Sequence, residues 1–352
     1  MAYLSIPSVK LVGISACVPQ NIERNSDSTL FSNAEEREKF ILSTGIEEKR
    51  VAQEGCCSSD FCFTAAEKLI HELNWEKTQI DALVFVSQTP DYILPATACV
   101  LQERLNLNKE CLAFDISLGC SGWVYGMSVV SSLLLNGCIK KALLLCGDLT
   151  TRQNCVKDKT SYPLFGDAGT ATALIYDSNS NGIKVHLATD GSGKDTIIIP
   201  DGGYRNPTTN KSLIYEDLGE GKIMTRLHSR LDGMSVFSFA ISKAPKSVMG
   251  LCEHYGIDLN SIDCFPFHQA NMFLNEKIRT KLKIDADKMP YCMEQFGNTS
   301  CASLPLTLVV KRQKELTSSK MKILGCAFGV GLSWGSIYFE TDKIIVPDLI
   351  EI

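Results

Sequence analysis

The sequence predicts an α/β protein of two similar halves, with one small-residue helix from each half buried where they meet. Three observations carry this. Short apolar runs alternate with helix-like segments, the order of motifs repeats in the second half, and the stretch 116–139 contains no charged residue.

The elements of the first half follow in order. "DALVFVSQ" (81–88) reads as a buried strand and "LPATACVLQERLNLN" (94–108) as a helix. "CLAFDIS" (111–117) reads as a strand, and "SGWVYGMSVVSSLLLNG" (121–137) as a helix closing at Gly137. "KKALLLCGD" (140–148) is a further strand. Strands separated by helices are βαβ units and predict a largely parallel core.

The second half replays this order. "SIDCFPFHQA" (261–270) follows the pattern of "QIDALVFVSQ" (79–88), and "FGNTSCASLPLTLVV" (296–310) places a small-residue elbow before a helix, as "ISLGCSGWVYGMSVV" does. "KMKILGCAFGVG" parallels "IKKALLLCGD", and both "LFGDAGTATALIYD" and "AFGVGLSWGSIYFE" run from Phe-Gly through small residues into a strand. This order divides the chain into halves at 1–182 and 183–352. A polar stretch at 183–232, with "DGSGKD" and "PDGGYRNPTTNKS", reads as surface loops that cap a site. "SNAEEREKF" (32–40) reads as a solvated helix face.

Two halves packed face to face explain the uncharged stretch without a membrane. Residues 116–139 are interrupted by Gly119, Gly122, Gly137 and several serines, whereas a bilayer span is richer in large apolar side chains. Small residues let other elements approach a helix from all sides.

Composition narrows the function. The 352 residues are 45% hydrophobic and 21% charged, with a net charge of −5, and no basic stripe marks a nucleic-acid surface. The fifteen cysteines are odd in number, form no Cys-x-x-Cys pair and do not cluster with the five histidines at zinc spacing. The N-terminal segment lacks the pattern of a secretory signal. These features predict a cytoplasmic protein with reduced, mostly buried thiols and no resident metal.

One cysteine stands apart. Cys120 lies between a strand and a helix, where a helix N-terminus offers free N–H groups and a positive end to a thiolate. Gly119 and Gly122 suit a tight turn and close substrate approach. His268 ends a strand-like run, and Asn298 sits in a small-residue turn before the second elbow helix. Each has a plain structural reading: a core cysteine, a core histidine, a turn asparagine. The duplicated plan instead brings all three toward one spot, as a nucleophile with two neutral hydrogen-bond donors.

With these motifs in place the chain resembles the β-ketoacyl-acyl-carrier-protein synthase III family of the thiolase superfamily. The resemblance runs through "VGISACVP", "STGIEEKR", "AFDISLGCSGWVYGM", "FGDAGTATA", "FHQAN", "FGNTSCAS" and "AFGVGLSWGS". It implies a duplicated thiolase-like fold, layered α-β-α-β-α. It also implies decarboxylative Claisen condensation of an acyl thioester with malonyl-acyl carrier protein, in fatty-acid or specialised acyl-chain biosynthesis. In that scheme Cys120 carries the acyl group, and His268 and Asn298 hold the enolate. The backbone N–H groups of Cys120 and Val330 form the oxyanion hole. No tightly bound cofactor is implied; the substrates are coenzyme A or carrier-protein phosphopantetheine thioesters, and the enzyme is a homodimer.

The chain departs from the family pattern at the rim. Lys39, beside Phe40, stands where relatives place a tryptophan for the adenine of coenzyme A, while the opposing Arg152 is kept. Phe273 replaces a basic carrier-protein contact, and Lys277, Arg279 and Lys281 nearby read equally as replacing its charge or as a solvated helix face. Leu94 matches a position that reaches across the dimer to limit the acyl pocket, and Phe328 belongs to the apolar loop over the site. Two other readings compete. One is an acyltransferase passing the Cys120 acyl group to an amine or alcohol without decarboxylation. The other is a catalytically silent partner subunit.

Overall fold

The computed structural model describes residues 2–135 and 137–352. The apolar runs form two sheets. The first has six strands in the spatial order Ile350–Glu351, Val9–Val18, Asp167–Tyr176, Lys141–Leu149, Ala82–Val86 and Leu112–Ile116. The second has four, in the order Ala2–Ile6, Ile183–Thr189, Ser333–Asp342 and Lys320–Gly329. The terminal strands exchange sides, since Ala2–Ile6 joins the second sheet and Ile350–Glu351 the first.

Two helices fill the space between the sheets. Gly122–Leu134 and Ser303–Ser318 each touch strands of both sheets, and their apolar side chains join one continuous core. Trp123 is fully buried there; its indole N–H donates to Thr172 Oγ1 (3.0 Å) and its ring meets Phe339 edge-on (6.0 Å). Ser58–Glu72 and Thr97–Arg104 cover the outer face of the first sheet. Gly233–Tyr255 and Met272–Leu282 cover that of the second. The layers are α-β-α-β-α.

The body of the uncharged segment, from Gly122 to Ser131, is thus enclosed by protein, and its far end surfaces at Ser132 and Leu135. In the enclosed part Ser128 turns its hydroxyl back to the carbonyl of Tyr125 (2.7 Å). Gly122 is required by proximity rather than by backbone angle. A Cβ there would lie 2.5 Å from Val86 Cγ1 and 3.1 Å from Cys301 Cβ. Among the described residues, no helix is long and apolar enough to cross a membrane.

The expectation of a largely parallel core is corrected. Only Ala82–Val86 with its two neighbours, and Ile350–Glu351 with Val9–Val18, pair in parallel in the first sheet. All ladders between the four strands of the second sheet are antiparallel. Three residues separate Lys320–Gly329 from Ser333–Asp342, and so short a connection forces a hairpin. The strand expected at 261–270 is reduced to two parallel bridges, Cys264 to Ile323 and Phe267 to Cys326. Pro266 lies between them and has no N–H to give a ladder. The polar capping stretch begins later than 183, because Ile183–Thr189 is a sheet strand paired with both Ala2–Ile6 and Ser333–Asp342. The charged run at 32–40 enters the helix Ala34–Thr44, whose N–H at Glu36 is capped by Asn33 Oδ1 (2.8 Å).

Gly122→Ala overpacks the contact between the central helix and the first sheet. Chemical denaturation is expected to show a loss of about 1–3 kcal/mol, with the fold retained.

Candidate active site

Both elbows and the Phe328 hairpin meet at one place. Cys120 precedes the helix Gly122–Leu134 and is half-buried. The hairpin approaches it so closely that a Cβ on Gly329 would lie 2.6 Å from Cys120 Cβ and 2.7 Å from its Sγ. The sulfur faces its own backbone N–H, that of Val330, and the Ser300 hydroxyl. These donors favour a thiolate, as the helix N-terminus does. Burial opposes them more strongly and pushes the thiol up to about 11.

The other two polar groups are anchored in the same cluster. His268 is almost fully buried, and its N–H donates to Cys326 O (2.9 Å) beside the hairpin. The imidazole meets the buried Phe328 ring edge-on at 5.6 Å, and Nδ1 pairs with Ser303 Oγ at 2.8 Å. Burial depresses its pKa to about 3, so the imidazole is neutral in ordinary buffer. Asn298 is held by the main chain: its N–H donates to Leu164 O (2.8 Å) and its carbonyl accepts from Gly166 N–H (3.1 Å). Its Oδ1 accepts the Ser300 N–H at 2.9 Å, leaving the amide Nδ2 as a free donor.

One elbow thus contributes to three groups. The Ser300 hydroxyl faces Cys120, its N–H donates to Asn298, and Ser303 pairs with His268. The site offers a thiol, a neutral imidazole, a carboxamide and two backbone N–H groups within one largely buried cluster. That set suits acyl transfer and stabilisation of oxyanions.

The rim residues named from sequence lie apart from this cluster. Lys39 is exposed on Ala34–Thr44, with Phe40 packed on Phe31 (5.1 Å). Arg152 is exposed, and its guanidinium donates to the carbonyls of Cys56 (2.6 Å) and Gln53 (2.5 Å). Leu94 is 81% exposed in a run with Tyr92 and Ile93, so within one chain it lines no buried pocket. On Met272–Leu282, Lys277 sits over the exposed Phe273 ring (5.4 Å) and Lys281 donates to Ile241 O (3.1 Å). Arg279 differs: Glu276 (2.7 Å) and Ile284 O (2.8 Å) occupy its guanidinium.

Residue-by-residue reading missed Ser300 and Ser303. Both lie within the quoted "FGNTSCAS". Serines in a turn read as caps until the tertiary contacts are known.

Comparison with known proteins now decides the family. Residues 114–191 match the model of 3-oxoacyl-[acyl-carrier-protein] synthase III, and residues 252–341 match its C-terminal model. A β-ketoacyl-[acyl-carrier-protein] synthase III from Caldanaerobacter subterraneus is 30% identical, over 95% of this chain and 98% of its own. One from Campylobacter curvus is 31% identical, over 93% and 95%. The chain belongs to the β-ketoacyl-acyl-carrier-protein synthase III family. A crystal structure of a 3-oxoacyl-(acyl-carrier protein) synthase from Burkholderia xenovorans superposes with a TM-score of 0.93 at 34% identity, covering 100% of this chain and 99% of that one. The chain is therefore an acyl-transferring condensing enzyme with the thiolase-like fold.

Two outcomes test this geometry. Gly329→Ala displaces Cys120, and peptide-resolved alkylation is expected to show a several-fold change in the rate of that thiol alone. The NMR signals of labelled His268 are expected to stay constant between about pH 5 and 8. A midpoint near the ordinary 6.5 would contradict its buried, neutral state.

Proposed function

We propose that this enzyme condenses an acyl thioester with malonyl-acyl carrier protein, releasing CO2 and giving a β-ketoacyl thioester in acyl-chain biosynthesis. One observation carries the reading: Cys120, His268 and Asn298 are anchored to one another's loops through Ser300, Ser303 and the Phe328 hairpin.

The chemistry divides into two halves. The Cys120 thiolate attacks the donor carbonyl, and the oxyanion sits between the N–H groups of Cys120 and Val330. The donor thiol leaves. The malonyl thioester then places its carbonyl oxygen against His268 Nε2 and Asn298 Nδ2. This role calls for the tautomer in which Ser303 donates to Nδ1 and Nε2 carries the proton. As CO2 departs, charge gathers on that oxygen, and two neutral donors stabilise it without favouring protonation of the carbanion. The carbanion attacks the acyl-Cys120 carbonyl, and the product leaves on its carrier.

The donor is a thioester of coenzyme A or of a carrier protein. Lys277 and Lys281 are the exposed cations of the helix Met272–Leu282 that suit an acidic carrier; Arg279 is committed to Glu276. The exposed run Tyr92, Ile93 and Leu94 supports a homodimer in which Leu94 limits the partner's acyl pocket. Fifteen free cysteines support a reducing, cytoplasmic setting. Simple acyl transfer needs no enolate donors, and a silent subunit needs no nucleophile, so the intact set favours condensation over both.

Mass spectrometry after incubation with a panel of acyl thioesters is expected to show one acyl group on Cys120 in the wild type and none in Cys120→Ala. His268→Ala and Asn298→Ala are expected to retain the adduct. Each slows CO2 release from malonyl carrier protein about 100- to 1000-fold, the usual cost of one lost oxyanion donor. Equal loss of both half-reactions would contradict the division of roles.

A further inference from the structure

A glutamine side chain reaches the residue beside the nucleophile. Gln88 follows the strand Ala82–Val86 and is half-buried. Its main chain is pinned on both sides: the N–H donates to Asp148 Oδ1 (2.7 Å), and the carbonyl accepts from Gln153 Nε2 (3.0 Å). The carboxamide at its tip lies against Gly119, the residue before Cys120. A Cβ on Gly119 would collide with Gln88 Oε1 and lie 2.9 Å from Gln88 Cδ. The same Cβ would lie 3.0 Å from Val330 Cγ1. Gly119 therefore leaves the space that the amide and the valine share.

This wall belongs to the reacting centre. Val330 follows Gly329, which is in contact with Cys120 Cβ and Sγ. Consecutive Cα atoms are about 3.8 Å apart. A group seated on Gly119 is thus within reach of the first carbons of an acyl chain held on Cys120 Sγ. Among the described residues, only the main-chain groups of Gln88 have hydrogen-bond partners, and its carboxamide has none. A glutamine kept for packing alone could be an apolar side chain of the same length. Here a polar tip is aimed at the elbow by a fixed backbone and is left unpaired.

We propose that Gln88 selects an acyl group that carries a hydroxyl on its second or third carbon, next to the thioester. A carboxamide offers an N–H donor and a carbonyl acceptor, and a hydroxyl can answer either. A plain alkyl chain pressed on the amide would remove its water and return no hydrogen bond, which is unfavourable. A carboxylate or ammonium would lose more hydration than a neutral amide can replace. Gln88 is therefore a specificity-determining residue, and the favoured donor is a short hydroxyacyl thioester. The enolate donors His268 and Asn298 are separate from it, because they come from the second half of the chain and Gln88 from the first.

The inference rests on Cys120 being the acylated residue, and the test separates the two. Pantetheine thioesters of butyrate, 2-hydroxybutyrate and 3-hydroxybutyrate carry the end common to coenzyme A and carrier protein, and each enantiomer is used separately. Acylation rates of the Cys120 peptide are read by mass spectrometry. The wild type is expected to accept a hydroxyl donor about tenfold faster than butyryl or more, as sites that hydrogen-bond a substrate hydroxyl discriminate against the analogue lacking it. Gln88→Leu, similar in volume and without a polar tip, is expected to remove that preference. Should this variant fail to fold, Gln88→Met takes its place. A wild type that favours butyryl or treats all donors alike overturns the proposal, as does a preference that survives the substitution. Calorimetric binding of the same thioesters to Cys120→Ala repeats the comparison without chemistry. If no donor acylates the wild type, the condensing reaction fails, and this binding alone decides for Gln88. Tighter binding of a hydroxyl thioester then supports its role, and equal or undetectable affinities overturn it.

Discussion

Close approach at Cys120 is the constraint on which the rest depends. The hairpin of the second sheet, the helix of the first half and the elbow of the second half reach one sulfur. They do so because Gly329 and Gly122 present no side chain where they touch. Central helices enclosed by both sheets bring their N-terminal elbows together, and the sheets hold them there with interior packing density. A methyl group at either glycine would have to be absorbed by core that cannot move freely. Small residues at these elbows are thus a packing requirement before they are a chemical one.

Burial then sets the electrostatics. One enclosure both raises the Cys120 thiol and depresses His268. Oriented N–H and amide dipoles cost no reorganisation when charge develops, and they act strongly where water is excluded. The proposed division of labour uses these dipoles twice: the N–H groups of Cys120 and Val330 for an acyl oxyanion, and His268 and Asn298 for an enolate.

Much of this was legible in the sequence because repetition and punctuation survive folding. The alternation of apolar runs with helices gave the α/β class, and the repeated elbow implied enclosure of 116–139. The strand ladders were less legible. Parallel pairing was expected from alternation, but the three-residue connection at 330–332 and Pro266 decide the local pairing. Ser303 escaped for a different reason. Its place comes from a contact across 35 residues, to His268, and no local pattern encodes that. The rim residues Lys39, Arg152 and Leu94 were identified by resemblance, and the fold leaves them on the surface of one chain.

The most direct test of the central claim is a crystal structure of the protein trapped after reaction with a short acyl thioester. The account predicts the acyl group on Cys120 Sγ, its carbonyl oxygen about 2.7–3.1 Å from the N–H groups of both Cys120 and Val330, and open space against His268 and Asn298. An acyl group on another thiol, or a carbonyl oxygen bonded to His268 and Asn298 instead, would contradict it.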